Sequence, residues 1–270
     1  MKRIFLMLLT LGTLLAARND VPSCYKALDI ALEDNIPSKE LFIFIDQTTP
    51  LDKKMMIYIY KNMMKFIKNG NAVTIASFSA NANGKYADVA YEGFVEPLLA
   101  KRSEYDISKK KLRKYKACMN GQYRYAKKKA TKALVRVLKG TNKKLPHSDI
   151  FRSLHDLSKR VVKPSKASEK IVLIVSDGLE HSAITSFYHK GGIKKIDRKK
   201  ELHKVANSGF LADFDNARVY MMAVGMTGSK NAYRDAKSLE RLTAFWKDYF
   251  LNTHANLKAI GTPMLLEDIQ

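Results

Sequence analysis

Apolar positions along this chain fall into two periods. Leu41-Phe42-Ile43-Phe44-Ile45 and Ile171-Val172-Leu173-Ile174-Val175 are continuous runs, too short for isolated helices and rich in β-branched and aromatic residues. Each predicts a strand buried on both faces, as the centre of a parallel sheet requires. A carboxylate follows each run: Asp46 after the first, and Asp177 within Ser176-Asp177-Gly178 after the second. Between them the period changes to that of a helix. Over 52–68, Met55, Met56, Ile59, Met63, Phe66 and Ile67 recur at three- and four-residue spacings, and the stretch stops at Asn69-Gly70-Asn71. Thr49 reads as the cap of this helix, with Pro50 at its first position and Asp52 three residues past the cap.

The same reading gives strands over 71–80, 86–94, 219–224 and 256–260, the last at an edge because of Lys258. It gives helices over 150–162, around 202–206, and over 232–250, where Leu239, Leu242, Phe245, Trp246 and Phe250 point inward. The fold class that follows is α/β: a Rossmann-like, mostly parallel central sheet flanked by helices, with a basic helical insertion. Strand, polar loop and helix at Asp46 form the kind of place where open α/β sheets bind ligands.

Composition changes this picture in one segment. Residues 101–144 hold 17 Lys or Arg against Glu104 and Asp106, which is +15 of the formal +22 carried by all 270 residues. Lys109-Lys110-Lys111, Arg113-Lys114 and Lys127-Lys128-Lys129 alternate with Tyr115, Tyr123 and Tyr125, and 130–138 has helical apolar spacing. We read a helical hairpin broken at Asn120-Gly121 and inserted over 95–145. Two accounts of its charge stand side by side: a solvated helical face, or a surface that binds polyanions and stacks its tyrosines on bases.

Lys2 and Arg3 precede the apolar run 4–17, and Arg18-Asn19-Asp20 follows it, the layout of a secretory signal over 1–17. The expectation is export to the periplasm or cell envelope, with an uncleaved amino-terminal anchor as the alternative because Leu14 and Leu15 stand where a small residue is preferred. An extension over 18–38 would then lead into the main domain. An even cysteine count in an exported chain predicts a Cys24–Cys118 disulfide, against two buried thiols. Without a CxxC or a histidine cluster, a zinc or redox centre has no support. His147, His155, His181 and His189 lie near the strand-end loops but lack ligand spacing, and read as solvated or locally bonded.

Three segments resemble, in order, the loops of a von Willebrand factor type A domain: Asp46-Gln47-Thr48-Thr49-Pro50, Ser148-Asp149-Ile150-Phe151-Arg152-Ser153-Leu154, and Ser176-Asp177-Gly178. That family reads D-x-S/T-x-S in the first loop, a Thr before a T-x-I-x-x-A-L helix in the second, and Asp before Gly in the third. The resemblance covers 39–263 apart from the insertion, leaving a tail over 264–270. It implies that Asp46, Thr48, Ser148 and Asp177 hold Mg²⁺ or Mn²⁺, while Pro50 stands where the family has a second hydroxyl. Oxygen donors from three loops suit such an ion. With one donor missing, the same groups also make sense as an internal hydrogen-bond network.

Two functional classes follow. The first is an exported, non-enzymatic binding module. Its site face and basic segment, including Lys109, Lys110, Lys111, Arg113, Lys114, Lys127, Lys128 and Lys129, would meet an envelope protein or an anionic polymer such as nucleic acid, anionic lipid or lipopolysaccharide. No small-molecule substrate is implied, and the oligomeric state is open. The second is a metal-dependent hydrolase acting on phosphodiesters or nucleic acid. Against it, the chain has no DxD pair by the metal-loop residues, no evident general base, no Gly-rich phosphate loop and no GxSxG elbow.

Overall fold

The computed structural model describes residues 18–31, 36–49, 51–82, 85–141, 148–189, 192–226 and 236–270. The export segment 1–17, Pro50 and His147 lie outside the described residues, so the readings made on them stand as expectations.

Six strands form the central sheet: β1 (Lys39–Asp46), β2 (Asn71–Ala82), β3 (Lys85–Phe94), β4 (Glu169–Val175), β7 (Arg218–Met222) and β8 (Asn256–Ile260). A two-residue hairpin, β5 (Tyr188–His189) with β6 (Gly192–Ile193), stands apart. The sheet order is β3-β2-β1-β4-β7-β8, with β3 antiparallel to β2 and the other pairs parallel. Order reverses between β1 and β4, whose central residues Ile43 and Leu173 are paired. This is the switch point at which open α/β sheets leave a crevice at their carboxyl edge.

Both faces are covered, so the central stretches of β1 and β4, Leu41–Ile45 and Ile171–Val175, are apolar at every position. Leu41, Ile43 and Ile45 join one core with α2 (Lys53–Phe66) and the second half of α4 (Lys109–Lys139). Phe42 and Phe44 join the other with α5 (Ile150–Leu157), a π-helical turn over Ser158–Val162, and α7 (Ala236–Leu251). Burying each such side chain is worth about 1.5–3 kcal/mol, which fixes the register of the sheet. The remaining helices are α1 (Cys24–Ala27), α3 (Lys101–Glu104) and α6 (Arg198–Asn207). No helix among the described residues is long and apolar enough to cross a membrane.

Two readings are corrected. The cap of α2 is Asp52, whose Oδ1 accepts the Met55 amide at 2.8 Å, because the Thr49 hydroxyl is already engaged at the crevice. The basic segment is not a hairpin: α4 runs unbroken for 31 residues, about 46 Å at the usual helical rise. Gly121 costs such a helix only about 1 kcal/mol. Its neighbour Gln122 then locks the middle of α4, accepting from the Glu96 amide and donating to Glu96 Oε2 and Pro22 O, each at 2.8 Å. Ala126, Ala130, Ala133, Leu134, Val137 and Leu138 line the sheet-facing side beyond it, so this half of the basic segment is itself a layer of the core.

The first half of α4 is held by the extension. Cys24 and Cys118 form a disulfide with Cα atoms 5.8 Å apart, and Tyr25, Tyr115 and Met119 make a small cluster around it. Glu96 accepts from the Ser23 hydroxyl and from the Cys24 amide at 2.8 Å, tying the segment after β3 to the same point.

Candidate functional site

Asp46 closes β1 and is fully buried, with both oxygens engaged. Oδ1 accepts from the Thr48 amide at 2.9 Å and the Thr48 hydroxyl at 2.6 Å. Oδ2 accepts from the hydroxyls of Ser148 at 3.1 Å and Ser176 at 2.8 Å. Asp177, at the end of β4 and 4% exposed, accepts the Leu179 amide at 2.8 Å, while its own amide donates to Thr49 Oγ1 at 2.9 Å. The expected set Asp46, Thr48, Ser148 and Asp177 thus converges at the switch point, brought there by three loops from distant parts of the chain.

Burial raises Asp46 above the usual carboxylate range, opposed by the Thr48, Ser176 and Ser148 hydrogen bonds. Asp177 is raised well above it, first by burial and then by the charge of Asp46. Two buried carboxylates this close favour taking up a proton or a cation, since each resists ionisation of the other. The donor set fits an oxygen-preferring divalent cation. The hydroxyls of Thr48, Ser148 and Ser176 each give their proton to Asp46, leaving oxygen lone pairs to offer, and the carboxylates supply charge. Among the described residues, no group of three or more His, Cys, Asp or Glu is placed to share a metal. Any ion here would depend on hydroxyls.

Sequence reasoning missed four contributors. Ser176 was visible in the strand-end tripeptide as a hydroxyl beside the acid, but it was not placed among the ligands. Thr49 was read as a helix cap. Trp246, read as core, also donates from Nε1 to Gly178 O at 3.0 Å. Gly178 has φ +70°, and a Cβ there would lie 2.5 Å from the indole nitrogen, so the turn after Asp177 needs glycine. Tyr188 comes from the β5–β6 hairpin and carried no sequence signal; burial first, and then the nearby charge of Asp177, hold its phenol above the ordinary range. Its ring meets that of His181 edge-on at 5.7 Å, and the His181 amide donates to Ser148 O at 2.9 Å. His155 packs edge-on against Phe210, and His189 is exposed.

Of the expected anion-binding residues, Lys109, Lys110, Arg113, Lys114, Lys128 and Lys129 are exposed along α4. Lys111 donates to Asp29 O at 2.6 Å, and Lys127 sits 4.2 Å over the Tyr123 ring. The helix carries 13 cations and no acid, and Lys116 with Glu104 is its one ion pair among the described residues. Tyr115 does not face solvent. It is 1% exposed, its hydroxyl bonded to that of Tyr25 and to the Leu99 amide, because the first half of α4 needs a core of its own. Tyr125 is exposed, under Lys129. The crevice and the helix touch: Gln47 Nε2 donates to Val137 O at 3.3 Å, beside the α4 terminus.

Strand order and site together define a class: an α/β protein with a mostly parallel sheet and an oxygen-rich crevice at its switch point. No family model matches the chain, and no curated protein matches it. Among solved structures, it is similar to an aerotolerance-related membrane protein from Bacteroides fragilis, crystallised with multiple mutations to serine, at 12% identity and TM-score 0.36, over 84% of this chain and 92% of that one. It is also similar to the conserved hypothetical protein BatB from Bacteroides thetaiotaomicron, at 10% identity and TM-score 0.35, over 83% and 89%. The pilus adhesin SpaC from Lactobacillus rhamnosus GG, in its open conformation, gives 10% identity and TM-score 0.35, over 82% of this chain and 31% of the adhesin.

Proposed function

We propose that this chain is an exported, non-enzymatic binding module of the von Willebrand factor type A kind, working in the periplasm or cell envelope. Its crevice holds Mg²⁺ or Mn²⁺ weakly through Thr48, Ser148 and Asp177, with Asp46 orienting the hydroxyls, and its α4 face takes an anionic partner. The observation that carries this reading is the convergence of Asp46, Ser148, Ser176 and Asp177 at the β1–β4 switch point. A small ion at such a place leaves room for a carboxylate or another oxygen ligand from a partner. The proposal assigns the site no reaction.

Calorimetric titration with Mg²⁺ and Mn²⁺ tests it. Asp177→Ala abolishes the binding heat, and Pro50→Ser, which restores a hydroxyl, strengthens it. Thermal melting of each variant separates lost binding from lost folding. Because burial lifts Asp177, a proton competes with the ion, so affinity rises with pH by up to about tenfold per unit for one proton released. No heat from the unaltered protein at any pH, with the fold intact, would remove the metal from this reading.

A further inference from the structure

α2 carries a second apolar stripe at the margin of the core, with Met64 packed against the core and Ile57 and Tyr60 turned outward. Its buried face is Met55, Ile59, Met63 and Phe66. Ile57, Tyr60 and Met64 stand at the three- and four-residue spacings of a different face, and Ile57 and Tyr60 are 42% and 38% exposed. Across from this stripe, α4 presents Lys128, Thr131, Lys132 and Val135, the last 41% exposed. Between the helices lies a groove of about 450 Å³, apolar on its α2 side and edged by lysines on its α4 side.

The opposite flank of α2 shows what such a surface accepts. There the carboxyl-terminal segment buries Leu265 and Ile269, and Asp268 pairs with Lys65 at 2.5 Å. The Tyr58 hydroxyl donates to Glu267 O at 2.7 Å, and the Ile269 amide donates to Asn62. A short acidic segment with apolar residues turned inward is thus already docked on this helix. The groove offers the same chemistry with more charge. Its apolar floor, flanked by two helices and edged by lysines, suits a ridge of side chains from an acidic helix.

We propose that the α2–α4 groove is the docking site for an acidic amphipathic helix of a partner protein. Its apolar ridge lies along Tyr60, Met64 and Val135, and its carboxylates face Lys127, Lys128 and Lys132. The proposal rests on the reading that α4 meets an anionic partner, and it adds the class of partner and the place.

Two labelled peptides of Glu and Leu with identical composition test it on the full disulfide-bonded chain. One spaces its leucines on a single helix face, and the other scatters them. By fluorescence anisotropy the amphipathic peptide binds about tenfold more tightly or better. Tyr60→Ser with Val135→Ser, both at exposed positions, brings the two peptides to within about twofold of each other while heparin affinity stays unchanged. Equal affinity of the two peptides for the unaltered chain overturns the groove. Phosphatidylglycerol vesicles that bind in preference to the peptide, and lose that preference with the same substitutions, assign the surface to lipid and also overturn it. A dimer in sedimentation that excludes the peptide does the same in favour of a second copy. If heparin fails to bind, the cationic-face reading falls as well; if heparin binds and the peptides tie, only the groove falls.

Discussion

At the carboxyl edge of the sheet, Asp46 and Asp177 are buried in a cluster of hydroxyls and amides. On α4, 13 cations lie along a helix that has one ion pair among the described residues. Both regions concentrate charge of one sign, and they relieve it differently. Inside, where desolvation is costly, the carboxylates shift towards holding a proton or a cation. Outside, water and counterions screen the lysines, so the helix folds with its cations left exposed. The difference makes proton concentration the natural variable for the buried region and ionic strength the natural variable for the exposed one.

The largest expected effect tests that division. If α4 engages six or more anionic groups, affinity for heparin or single-stranded DNA falls on the order of 10³- to 10⁵-fold between about 50 and 200 mM salt. Calorimetry of the crevice over the same range changes far less. A flat salt dependence for polyanions would make α4 only a solvated face.

Next in size is the disulfide that holds the first half of α4 to the extension. Its cysteines are 94 residues apart, so Cys24→Ser with Cys118→Ser lowers stability by about 4–5 kcal/mol on the loop-closure account. Urea denaturation measures the loss. Among the described residues the disulfide packs with Tyr25, Tyr115 and Met119 and not with the crevice, so divalent-ion binding by the folded variant stays as it was. Coupled loss of both would mean that the two regions are one cooperative unit.

A pH effect of a few kcal/mol belongs to the crevice side. Glu180, fully buried, receives the Ile150 and Phe151 amides at the start of α5, and burial still raises it to about 8 from an ordinary 4.5. For an acid raised on folding, the stabilisation is complete below the unfolded value. It declines as pH climbs from about 4.5 through about 8, by an amount on the order of a few kcal/mol. Glu180→Gln, compared with the unaltered protein in denaturant melts across that range, flattens the decline. An unchanged slope would place the pH dependence in Asp46 and Asp177 instead.

The smallest effect separates the tyrosines. Tyr125→Ala lowers affinity for single-stranded DNA by about 1 kcal/mol if its exposed ring stacks on a base. Tyr115→Ala destabilises the cluster around the disulfide, and in protein that remains folded it leaves the DNA contact intact. Titration of the two variants with DNA and with heparin distinguishes stacking from charge alone.

Much of the crevice could be read along the chain, because a run such as Leu41–Ile45 must lie in the middle of a covered sheet and a carboxylate next to it must fall at the strand's end. The disulfide was legible from cysteine parity together with the expectation of export. The partners of these groups were harder to see. Ser176 and Thr49 both looked like local capping residues, and which hydroxyl faces which carboxylate depends on how β1 and β4 pair. Gly121 suggested a break in α4, and only the contacts of Gln122 with Glu96 and Pro22 show why the helix continues.

By itself, then, the sequence determined the main strands and helices of the sheet and the location of the charge, since hydrophobic period and net charge are properties of the chain read locally. The continuity of α4 and the burial of Tyr115 were not among the features it determined. Tertiary structure alone decided that the basic stretch serves as a layer of the core, that Tyr188 and Trp246 reach the loop at Asp177, and that α2 and α4 leave a groove between them. Each of these depends on contacts between segments far apart in the chain, and packing selects such contacts without leaving a periodic trace in either partner.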